Sequence, residues 1–169
     1  MKKSILVFGL SLALLVFSGS DVLAQASKEI SEPITGTWYS TNTKVLPLGE
    51  DRSFITRDAY GVILADEGKG LFHEATTHWV EALLMEKGVP KNLVGYGCYF
   101  LKNGDKVFAT ETLEVKTGVP PKYKVIIIGG TGKCVNIQGS WEASGHRLTP
   151  AAEGIGQAYT KAIFNYRLP

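Results

Sequence analysis

The stretch from Lys124 to Trp141 narrows the choice of fold more than any other part of the chain. A β-branched run enters a Gly-Gly-Thr-Gly turn there, and a second alternating run leaves it. Ile126, Ile127 and Ile128 suit a pleated, buried surface, while Gly129, Gly130 and Gly132 supply backbone angles that residues with a β-carbon resist. The stretch therefore reads as strand, turn, strand. Gly132-Lys133 behind an apolar strand also suggests a nucleotide-binding loop, but the spacing excludes it. That motif needs a glycine where Ile127 stands, a Ser or Thr where Cys134 stands, and a helix afterwards, whereas the residues here go on alternating.

Similar alternation recurs along the chain. A polar leader, Ser27 to Pro33, precedes a first strand over Ile34 to Val45, rich in Thr and aromatic residues. Leu46 to Asp51 is a loop, Ser53 to Val62 alternates again, and Ala65 to Gly70 has turn composition. Leu71 to Met85 begins like a strand and runs into a short helical turn over Glu81 to Lys87 that Gly88 and Pro90 would end. His73-Glu74 and His78 in this segment look like a zinc-protease motif. On a strand, however, the two rings face opposite sides, and on a helix they diverge by about 140°, so no metal site is expected there.

Lys102-Asn103-Gly104-Asp105 is the strongest hairpin signal in the chain. A two-residue loop on Asn-Gly and a symmetric four-residue loop give the same register, with Phe100 opposite Val107, Cys98 opposite Ala109 and Tyr96 opposite Glu111. One face then carries Val94, Tyr96, Cys98, Phe100, Val107, Ala109, Glu111 and Leu113, and being almost wholly apolar it is expected to point inward. Downstream, Val135, Ile137, Trp141 and Ala143 share a face with Cys134 opposite. Gln157 to Leu168 is a last strand with Ala158, Thr160, Ala162, Phe164, Tyr166 and Leu168 on one side.

The N-terminus has the layout of a secretory signal peptide: Met1-Lys2-Lys3, an apolar run from Ile5 to Phe17 too short to span a bilayer, then small residues that allow cleavage after Ala24 or Ala26. Removal of residues 1–24 takes away Lys2, Lys3 and Asp21 and lowers the formal charge from +2 to +1. A near-neutral chain argues against nucleic acid or an anionic membrane surface as the main partner. The expectation is a periplasmic or secreted protein with one domain over residues 25–169. The two cysteines of such a chain invite a disulfide, but Cys98 facing in and Cys134 facing out could pair only through a bulge at the glycine turn.

About eight short alternating runs with glycine-bearing turns and no helix-length patterns between them describe an all-β fold, an antiparallel barrel or sandwich. The Gly-Gly-Thr-Gly-Lys133 turn followed by Ile137-Gln138-Gly139, the hairpin at Asn103-Gly104-Asp105 and the closing strand ending Tyr166-Arg167-Leu168-Pro169 resemble the allene oxide cyclase and dirigent group of calycin-like barrels. The resemblance covers roughly Leu71 to Pro169 and implies an eight-stranded antiparallel barrel with an apolar cavity that steers a reactive small molecule, often in a trimer. No catalytic residue of those families carries over to a position here. Gly36-Thr37-Trp38 fits the Gly-x-Trp of the first lipocalin strand, which makes lipocalins the rival resemblance.

On these grounds the chain is expected to hold an apolar or aromatic small molecule without a cofactor. The expected ligand-lining set is Tyr96, Cys98, Phe100, Val107, Val135, Ile137 and Trp141. Glu111 is the expected acid, base or ligand anchor, because burial penalises its charged form. An isomerase or cyclase of the resembled type and a structural or interaction barrel with no ligand are the alternatives.

Overall fold

The computed structural model describes residues 28–115 and 121–169, so the expected signal peptide and both cleavage positions lie outside the described residues. The strands are β1 (Glu29–Pro47), β2 (Arg52–Ala65), β3 (Ala75–Glu86), β4 (Val89–Phe100), β5 (Lys106–Glu114), β6 (Lys122–Gly130), β7 (Gln138–Arg147) and β8 (Gly156–Arg167). Each pairs antiparallel with the next, and β8 returns to β1 to close the barrel. The all-β, eight-stranded architecture expected from the alternating runs is the one observed. Among the described residues, no helix is long and apolar enough to cross a membrane.

Alternation places the core. On β8, Thr160, Phe164 and Tyr166 are buried, as the sequence phase requires, and on β7 Trp141 and Ala143 are buried. Two segments differ from expectation by extension. The leader expected to end at Pro33 is strand from Glu29, because it pairs with the C-terminal half of β8, Glu29 opposite Arg167 and Pro33 opposite Ile163. The helical turn expected over Glu81 to Lys87 is the end of β3. There Glu81 and Leu83 alternate into the interior, so pairing on both edges overrides the helix-forming composition. Lys87 and Gly88, with φ of 51° and 73°, form a two-residue hairpin loop, and Pro90 sits beside a bulge in β4.

The β4–β5 register requires a correction. Leu101 accepts from the Gly104 N–H at 2.9 Å and donates its own N–H to Asp105 at 2.9 Å, closing a three-residue loop in which Gly104 takes φ 87°. An odd loop slides the pairing by one, to Cys98 opposite Phe108, Gly97 opposite Ala109 and Gly95 opposite Glu111. A one-residue slip turns every β4 side chain over. Tyr96 and Phe100 therefore point to solvent, at 62% and 40% exposure, and Cys98 is half-buried on the outer face. Leu93, Gly95, Tyr99 and Leu101 face in instead. The β5 phase stands, with Val107, Ala109 and Glu111 inward.

A second correction lies after the glycine turn, where Gly132–Cys134 is a 3-10 turn and Asn136 has φ 64°. The run is not extended there, so strict alternation fails. Cys134 is fully buried, Val135 is exposed, and Ile137 returns to the core. Both cysteines are free.

One end of the barrel is filled. The loop between β2 and β3 turns inward and seats Phe72, 0% exposed, edge-on against Phe164, Tyr99, Tyr166 and Trp141 at centroid distances of 5.0, 5.2, 5.4 and 6.1 Å. Buried Glu32 on β1 anchors that loop. Its carboxylate accepts the N–H groups of Leu71 and Phe72 at 3.1 Å each and the Tyr166 O–H at 2.9 Å. Gly70 passes against this carboxylate at φ 136°, where a β-carbon would collide with it.

Candidate functional site

Above the Phe72 plug lies a cavity of about 260 Å³ that opens at the other end of the barrel. Its wall includes Ile34, Trp38, Ala59, Trp79, Val125, Trp141, Ala143 and Phe164, with Trp141 and Phe164 stacked at 3.8 Å. An apolar cavity of about 150 Å³ accommodates benzene, so this one suits a body of about two rings.

A polar row crosses this wall. Arg57 on β2 is the cross-strand partner of Glu81 on β3, Glu81 of Gly95 on β4, and Gly95 of Glu111 on β5. Strands two apart are separated by about 10 Å of backbone, too far for carboxyl groups to meet over an intervening side chain. Gly95 removes that obstacle: a β-carbon built there would stand 2.7 Å from Glu111 Oε1. Glu81 and Glu111 meet across the gap and share a hydrogen bond.

Electrostatics divides the roles within the row. Arg57 Nε donates to Glu81 Oε2 at 2.6 Å, and Nη2 lies 2.5 Å from the same oxygen. Burial works against the guanidinium charge, but Glu81 more than offsets it and raises the Arg57 pKa. Burial first, then the charge and hydrogen bond of Glu81, push Glu111 well above the usual carboxylate range, while Arg57 offsets part of the shift. These effects favour the protonated form of Glu111 beside Glu81. Burial also raises the Tyr123 phenol against the opposing pull of Arg57, and pushes the Tyr99 phenol well up. The cluster thus sets one guanidinium, Arg57, beside two facing carboxyl groups, Glu81 and Glu111.

The residues singled out from the sequence are divided by the structure. Glu111 and Trp141 line the cavity, and Val107 and Ile137 are buried in the core. Tyr96, Cys98, Phe100 and Val135 lie on the outer side or at the surface and do not line it. Sequence reasoning missed Arg57, Glu81, Tyr123, Trp38, Trp79 and Tyr99. A signal for two of them existed: Trp79-x-Glu81-x-Leu83 alternates as an inward face, but the helix-like composition around it hid the period.

The two histidines do not come together. His73 Nδ1 accepts the Ala65 N–H at 3.3 Å, while His78 bonds Asp58 at 2.8 Å and stacks on Tyr60. Among the described residues, no three His, Cys, Asp or Glu side chains converge as metal ligands.

No protein-family model matches the sequence, and no curated protein does. Among solved structures, the pterocarpan synthase dirigent protein GePTS1 superposes with a TM-score of 0.53 at 13% identity, over 90% of this chain and 99% of that one. The pterocarpan synthase dirigent protein PsPTS1 gives a TM-score of 0.50 at 11% identity, over 83% and 96%. At such identities the likeness is one of fold: this chain shares the eight-stranded barrel architecture of those two proteins.

Proposed function

We propose that this barrel binds an apolar or aromatic small molecule of about two rings in its cavity. The observation that carries the reading is the aromatic wall of Trp38, Trp79, Trp141 and Phe164 around about 260 Å³ of space. The test is native mass spectrometry of protein purified from its producing cells, followed by calorimetric titration with neutral bicyclic aromatics. Ala143→Phe, which fills the cavity from β7, should abolish binding while the fold persists. Failure to retain or bind any such molecule overturns the reading.

A second reading, isomerase or cyclase chemistry, is favoured by Glu111. A protonated carboxyl in the wall can give its proton to a bound molecule, with the Arg57 guanidinium on the neighbouring Glu81 to offset the negative charge left on Glu111. The two readings separate on whether the bound molecule is recovered unchanged after incubation with the native protein and with Glu111→Gln.

Residues 1–24 serve export in this proposal, and the barrel works in the periplasm or outside the cell. Copies of the barrel associate, as a trimer by resemblance, through the apolar outer face that includes Val80, Tyr96, Phe108 and Ile126.

A further inference from the structure

Four successive inward positions of β7, Trp141, Ala143, Gly145 and Arg147, line the cavity from the aromatic floor to the rim. Arg147 ends the row. Its side chain is exposed and makes no ion pair or hydrogen bond among the described residues, unlike Arg57, whose charge Glu81 matches. Among the described residues, a β-carbon on Gly145 would meet only Tyr123 Cε2, at 3.4 Å, which leaves room beside Arg147 on the cavity side. Ser40 and Gln157 share the rim with it.

The charges of the site are thus graded. In the wall, the Arg57 guanidinium is already matched by Glu81, and a buried ligand charge there would have no free partner among the described residues. At the rim, the Arg147 guanidinium, unpaired among the described residues, can donate two parallel N–H groups to a carboxylate.

The geometry points to a ligand class: an aromatic monoanion, with a neutral ring body in the cavity and one acid group, such as a carboxylate, stopped at the rim on Arg147. This rests on the proposed binding role of the cavity and adds the sign and position of the ligand's charge. Cations are disfavoured at the rim, and acids whose charge must travel inward are disfavoured in the wall.

Three probes of one shape test it: 2-naphthoate, 2-naphthamide and 2-naphthylmethylammonium, titrated calorimetrically into the full chain at neutral pH. We expect naphthoate to bind about 5- to 20-fold more tightly than naphthamide, the range between an exposed ion pair and a bidentate one, with the ammonium weakest. The naphthoate advantage should shrink as salt rises, collapse in Arg147→Gln and survive in part in Arg147→Lys. Naphthamide binding as tightly as naphthoate, or an advantage that persists in Arg147→Gln, overturns the rim assignment and leaves the cavity reading standing. Failure of all three probes to bind overturns both.

Discussion

Replacing Glu111 with Gln isolates the titration of the buried row. Gln keeps the volume, cannot ionise, and offers an amide N–H to Glu81 in place of the Glu111 O–H. Where Glu111 is protonated, the substitution should therefore cost no more than about 1 kcal/mol. The folded chain binds this proton more tightly than the unfolded chain, where glutamate titrates near about 4.3. The stability it contributes is full below that value and is lost as pH rises through the raised folded pKa. Each unit of elevation withdraws about 1.4 kcal/mol over that window. Urea unfolding of both proteins from about pH 5 to about pH 9 measures the effect, and the stability of the native protein relative to Glu111→Gln should fall with rising pH until Glu111 has ionised. Asp58 and Glu74, both lowered by their hydrogen-bonded partners, titrate alike in the two proteins and cancel in the difference. A difference that stays flat with pH refutes the assignment of the proton to Glu111.

Gly95→Ala places a β-carbon against Glu111 and should separate it from Glu81, at a cost of about 1 to 3 kcal/mol by urea unfolding, and should weaken the pH dependence just described. Phe72→Ala empties the filled end and should cost about 3 to 5 kcal/mol in the same measurement. A thiol reagent without reductant should label Cys98 in the native protein and Cys134 only after unfolding, because Cys134 is fully buried. Zero free thiols would contradict this. Intact-mass analysis of exported protein should find Gln25 or Ser27 as the first residue, and retention of Met1 to Leu23 would exclude the export reading.

The barrel itself was legible because alternation needs only a period of two, and eight strands repeat it. Glu111 was placed inside correctly, since the β5 phase follows from Val107 and Ala109 alone. The β4 phase failed because hydrophobicity pointed the wrong way. The outer face of that strand carries Val94, Tyr96 and Phe100, and the inner one carries Gly95 and Gly97, which look empty in the sequence but make room for Glu111 and for the Trp79 ring. A glycine that accommodates a neighbour's side chain leaves no mark in its own composition. Arg57 and Glu81 were hidden for a related reason: each looks like a surface charge until cross-strand pairing shows them to be partners.

The plug at Phe72, held by Glu32, also bears on traffic. Among the described residues, with that end occupied by packed rings, the route for a guest into and out of the cavity runs past Arg147 and Ser40. Arrival and departure then compete for the same passage, so a product must clear the opening before the next molecule can load. A slow step at the rim would throttle both directions equally. Under such a regime, changes that only narrow the rim, such as a larger residue at Ser40, should alter association and dissociation rates together and leave their ratio much less affected, whereas changes in the deep wall should act chiefly on dissociation.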